Sequence, residues 1–205
     1  MLGTTAGLAV GWPFRNAHAD DGSAQLAPDD AWLLDLSKRK QRAFLDIGGF
    51  SRDGTPFRRA NALMTMFTTT YGMAQNDVGI AFGAHSGALA YLLSQDFWTE
   101  YDLAGKVAGS LRVDDAAALR KAGPSAASIG ADGVRELRAK GMRVLACRNT
   151  MARWSRDLAE ARNLAPDVVL QRLNASLHEG VEPVPAMVGA AVLAQARGMA
   201  YVVVA

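Results

Sequence analysis

The sequence predicts an α/β fold, a single three-layer α/β/α domain on a parallel five-stranded sheet. Three observations carry that expectation. Short apolar runs alternate with segments whose apolar residues recur every three or four positions. Two of the runs, residues 144–146 and 201–204, are apolar without interruption, as strands covered on both faces should be. The length, 205 residues, suits one well-buried domain.

Each element follows from local signals. Asp30 is placed to cap a short helix carrying Trp32, Leu33 and Leu36, with Lys38, Arg39 and Lys40 in its last turn, where cations suit the dipole. Residues 43–47 form a first strand closed by Gly48 and Gly49, and residues 51–56 a loop. Phe57, Ala60, Leu63, Met64, Phe67 and Tyr71 mark one helical face, stopped by Gly72 and Asn76. Residues 78–82 are a second strand, followed by His85 and Ser86 and a helix holding Leu89, Leu92 and Leu93. Residues 96–129, aromatic at first and then rich in Gly, Ala and Ser, read as a long irregular connection suited to a lid or subunit contact. A helix over 130–140 ends at Gly141, the strand Met142-Arg-Val-Leu-Ala-Cys147 follows, and a helix over 150–162 carries Met151, Trp154 and Leu158. Residues 181–184 form a fourth strand, a helix from Pro185 runs to Gln195 and is closed by Gly198, and residues 201–204 are the fifth strand.

Half of the residues are hydrophobic and 20% are charged, an ordinary globular balance. The net charge of +2, with arginines scattered among acids and no basic stripe, gives no case for nucleic acid. No apolar stretch reaches the roughly 18 residues that span a bilayer. Residues 1–19 read as an export signal lacking its charged start: a mildly apolar run from Leu2 to Phe14, then the small-x-small site Ala17-His18-Ala19. Its weak hydrophobicity points to twin-arginine export into the periplasm, with a true start upstream; the alternative is a plain apolar tail. Residues 20–40 are then linker and short helix, and residues 41–205 the domain.

The chemistry gathers where strands end, since open α/β sheets bind ligands at their carboxyl edge. Gly48 and Gly49 lie in no dinucleotide or P-loop fingerprint, and neither G-x-S-x-G nor H-E-x-x-H occurs. The three histidines are far apart and there is one cysteine, so no metal site and no cofactor is expected. Cys147 is the leading candidate. It stands between a strand end and a helix N-terminus, with Arg148 beside it and Asn149 and Thr150 behind, a setting that favours a thiolate. Being the lone cysteine, it acts as a free thiol or with an outside partner; otherwise it is an inert buried thiol. His85 is either a proton carrier for Cys147 or a histidine bonded to a loop carbonyl. Trp98 and Tyr101 are a packing plug or a binding platform. A weaker third candidate is a small-molecule site at the first strand end.

The ordered set from Gln41 onward resembles the DsrE/DsrF-like family, in its exported branch with twin-arginine signals. The set comprises Ala43-Phe-Leu-Asp46 with the Asp53-Gly54 loop, Tyr71-Gly72, His85, Asp96-Phe-Trp98-Thr-Glu-Tyr101, Val144-Leu-Ala-Cys147-Arg-Asn149-Thr150, and Gly180-Val-Glu-Pro-Val-Pro185 through Gln195 to Tyr201. The resemblance implies a homo-oligomer and a cysteine, here Cys147, that carries sulfur as a persulfide between thiol-bearing donor and acceptor. With no second cysteine, transfer is between molecules. A non-catalytic binding or assembly protein is the alternative.

Overall fold

The structure, a computed structural model, describes residues 30–109 and 113–204. The expected export signal and the linker up to residue 29 lie outside the described residues. The sheet holds β1 (Gln41–Ile47), β2 (Val78–Ala84), β3 (Arg143–Cys147), β4 (Val181–Val184) and β5 (Ala200–Val204). All pairings are parallel, in the order β4-β3-β2-β1-β5. The five strands expected from the apolar runs are those observed.

Alternation along each strand divides the core into two layers. Ala43, Leu45 and Ile47 of β1 and Val144 and Ala146 of β3 point to one face. Phe44, Leu145 and Cys147 point to the other, against α1 (Ala31–Leu36) and α9 (Met187–Ala196). The first face is covered by α2 (Thr55–Thr65), which continues as a π turn over Met66–Thr70, and by α3 (Gln95–Glu100), α4 (Leu103–Ala108), α6 (Ala127–Ala139), α7 (Arg148–Glu160) and α8 (Pro166–Ala175). Gly83 of central β2 makes room for the second layer: a Cβ there would stand 2.5 Å from the Met187 sulfur and 2.8 Å from the Phe44 ring.

Beside the helix expected after His85, which is a 3-10 helix over Ser86–Leu92 that leaves Leu93 outside, two expectations need correction. Residues 96–129 are not an irregular connection: α3, α4, α5 (Val113–Ala122), a 3-10 turn over Gly123–Ala126 and the start of α6 take up most of the described ones. Ser94 caps α3 by accepting from the Phe97 N–H at 3.4 Å, and Asp102 caps α4 by accepting from Gly105 at 3.4 Å. Two glycines of the helix expected over 130–140 serve packing. At Gly130 a Cβ would lie 1.9 Å from the Tyr91 carbonyl oxygen, and at Gly133 it would lie 2.4 Å from the Phe57 ring. The second correction is at α1. It ends at Leu36, before Lys38, and Asp30 makes no side-chain cap; Arg39 turns back to Asp35 at 3.2 Å and donates to the Asn76 carbonyl.

Candidate functional site

Strand register places the site. Asp46 is next to last in β1 and shares the face of Phe44, the face to which Cys147 points at the end of β3. His85 follows β2 directly, and its N–H donates to the Ile47 carbonyl at 3.0 Å, which locks it beside the end of β1. Tyr201 of β5 lies opposite Phe44 in register, and its ring stacks on Phe44 with centroids 6.3 Å apart. Four strands therefore deliver Asp46, His85, Cys147 and Tyr201 to one place.

That place is a pocket of about 350 Å³ at the carboxyl edge of the sheet. Asp46, His85, Cys147 and Tyr201 line it, together with Asn149 and Thr150 from the first turn of α7. Met187, Val188 and Ala191 of α9 supply an apolar wall. The polar residues form a connected chain. The Tyr201 hydroxyl donates to Asp46 Oδ2. His85 Nε2 stands 3.0 Å from Asp46 Oδ1; this buried oxygen is within ion-pair range but accepts no aligned hydrogen bond. His85 Nδ1 lies 3.0 Å from Ser86 Oγ, and the Ser86 N–H donates to Thr150 Oγ1 at 3.2 Å. With the His85 proton on Nε2, facing the carboxylate, the Ser86 hydroxyl donates to Nδ1; with both nitrogens protonated, that hydroxyl turns to accept.

Local backbone geometry holds the imidazole. Ser86 has φ of +49°, a left-handed conformation that a serine adopts at some cost. A Cβ on Gly48 would come within 3.1 Å of His85 Cε1, so the ring lies against a glycine that could carry no side chain without displacing it. The carboxylate of Asp46 also acts on Tyr201. The hydrogen bond to Asp46, then burial and the negative charge, push the Tyr201 hydroxyl above its usual range.

Cys147 occupies the N-cap position of α7 and makes no side-chain cap. The first-turn N–H groups of α7 have no partner within the helix, and their positive end favours an anion at this spot. The thiol is 5% exposed and packs among Leu145, Val184 and Met187 rather than under Met151 or Trp154, which belong to the opposite layer. The pocket is its opening to the outside.

The expected site residues separate into two groups. Cys147, His85, Asn149 and Thr150 come together in the pocket. Arg148 is exposed and does not line it. Trp98 and Tyr101 lie in the core layer on the other side of the sheet, 1% and 3% exposed. The indole of Trp98 donates to the Ala90 carbonyl at 2.9 Å, and Tyr101 stacks on Phe97; both are packing residues, and neither forms a binding platform. Asp46 and Tyr201 were missed as site residues. Asp46 carried a signal, a carboxylate breaking an apolar strand one residue before its end; Tyr201 carried none, because its role depends on β5 lying beside β1.

Among the described residues no group of three or more His, Cys, Asp or Glu side chains converges to hold a metal ion. No helix among them is long and apolar enough to cross a membrane. The chain matches no protein-family model and no curated protein sequence.

Proposed function

We propose that the protein is an exported, DsrE-like sulfur carrier in which Cys147 accepts one sulfane sulfur and passes it to a thiol on another molecule. The observation that carries this reading is the single thiol opening into the same pocket as His85 and its partners Asp46 and Ser86. A thiol with a proton carrier and an anion-favouring helix end has what sulfur transfer needs.

The step is an exchange. The Cys147 sulfur attacks the outer sulfur of a persulfide donor, the donor S–S bond breaks, and a new S–S bond forms at Cys147. The thiol proton goes to His85 at Nδ1, which gives up its bond to the Ser86 hydroxyl to take it because Nε2 faces Asp46. From there it passes to the departing thiolate, so donor persulfide and Cys147 thiol become donor thiol and Cys147 persulfide. No oxidant is consumed. The reverse exchange with an acceptor thiol restores Cys147. Asp46 orients the imidazole and balances its charge while it holds the proton. The pocket volume suits a small persulfide, a polysulfide or the tip of a partner's side chain.

Mass spectrometry of the intact protein after incubation with polysulfide tests the proposal. A gain of sulfur by the native chain that is lost in Cys147→Ser supports it. A second reading, a non-catalytic binding protein, is favoured by the low exposure of Cys147 among apolar neighbours. No adduct on the native chain, with small molecules still shifting the melting temperature, would select that reading.

A further inference from the structure

The two edges of the sheet are built differently. β4 is four residues long, contains Pro183, and its Glu182 is tied to Arg143 at 3.2 Å, devices that discourage another strand from pairing there. β5 has none of them. Among the described residues it pairs on one side only, with β1, and its sequence Ala200-Tyr-Val-Val-Val204 holds neither charge nor proline. Val203 is 64% exposed, and Tyr201 and Val202 are 40% exposed each. An exposed apolar edge strand in a parallel sheet is a template for pairing.

Both flanks of this edge are apolar too. On one face, α9 is apolar on its inner and outer sides, with Val188 at 75% and Val192 at 60% exposure. A helix apolar all round belongs under a cover. On the other face, an apolar groove of about 390 Å³ runs between α2 and β5, lined by Leu63, Met66 and Val202, with Arg59 also on its wall. Val188 and Tyr201 line one pocket and Met66 and Val203 the other, so the edge and its two flanks form one continuous surface.

We propose that this surface pairs with a second copy of the same chain, β5 against β5 in antiparallel fashion about a two-fold axis perpendicular to the sheet. The axis continues the five strands of one protomer into those of its partner, lays α9 beside α9 and brings the two α2–β5 grooves together. Charge permits a copy of itself. A two-fold contact sets each residue near its own duplicate, so any charge would meet a like charge. Val188, Val192, Tyr201, Val202, Val203 and Met66 carry none, and Arg59 stands only on the groove wall. Area favours it. At roughly 100 Å² per fully exposed valine side chain, these residues offer on the order of 350 Å² of apolar surface per protomer. A standard interface takes about 800 Å² from each partner, a little over half of it apolar, so they cover most of that share. The proposal does not rest on the chemistry assigned to Cys147.

Sedimentation equilibrium of the full chain up to roughly 100 μM tests it. The expected mass is twice the 21.7 kDa of one chain. Val203→Lys and, separately, Val192→Glu should each raise the dimer dissociation constant at least about tenfold. Val168→Lys, at a valine 38% exposed on α8 away from this edge, should leave it unchanged. Circular dichroism melts of the three variants check that each is folded. A monomeric wild type would overturn the proposal, whether the surface then stays open or is covered by the chain's own N-terminal segment or by another protein. A trimer would also overturn it, as would a dimer indifferent to both edge substitutions.

Discussion

Tyr201 ties the pocket to the edge of the sheet through one hydrogen bond to Asp46, and that bond has a measurable consequence. The folded state holds the phenol protonated to higher pH than the unfolded chain does. Between the ordinary tyrosine range near pH 10 and the raised folded value, the unfolded state binds fewer protons, so stability falls as pH rises. The contribution is intact below about pH 10 and lost as pH climbs through the folded value. Urea titrations at rising pH should show this loss in the wild type, and Tyr201→Phe should remove that component. Asp53 gives the opposite sign. Hydrogen bonds from Ser51, then Arg58 and Thr55, hold its carboxylate well below the usual range. Its contribution is present above the ordinary value near pH 4 and lost as pH falls toward the depressed one. Because Asp53 accepts from the Thr55 N–H at 3.0 Å at the start of α2, Asp53→Ala should cost about 1 kcal/mol at neutral pH. Urea midpoints of the two proteins measure that difference.

Among the elements, the helices between β2 and β3 depend on close backbone approach. Gly130 lets α6 touch the carbonyl of Tyr91, where an added Cβ would lie at 1.9 Å. Gly130→Ala should therefore destabilise by about 3 kcal/mol or more, since backbone faces backbone and neither can yield cheaply. Gly189, on the outer side of α9, has nothing within 4 Å of its Cβ position, and Gly189→Ala should stabilise the helix by up to about 1 kcal/mol. Thermal melts of the pair separate packing from propensity. The stretch before Gly130, where Ala116, Ala126 and Ala127 are buried, shows what the sequence hides. Gly-, Ala- and Ser-rich composition reads as a loop when each residue is judged alone, yet here small residues allow helices to approach closely. The strands were legible because burial on both faces leaves an apolar run that needs no knowledge of neighbours. Helix ends were less so: α7 begins at Arg148, two residues earlier than its apolar spacing marked, because Cys147 itself takes the cap position.

For the whole molecule, the site exists only once the sheet is assembled. Cys147 and His85 could be nominated from chain position, each just past a strand, and β2 beside β3 brings them to one edge. The sequence could not place β5 next to β1, the jump that carries Tyr201 to Asp46 and exposes the β5 edge. Nor could spacing show that Trp98 and Cys147 lie on opposite faces of the sheet. Cys147 is proposed to react through the pocket with His85 as its proton carrier. The most direct test is the rate at which iodoacetamide alkylates Cys147 in the folded protein, compared with His85→Gln. Alkylation of the native wild type is expected, at a rate at least several-fold higher than in the variant. Alkylation only after denaturant unfolds the chain, or equal rates in the two proteins, would contradict it.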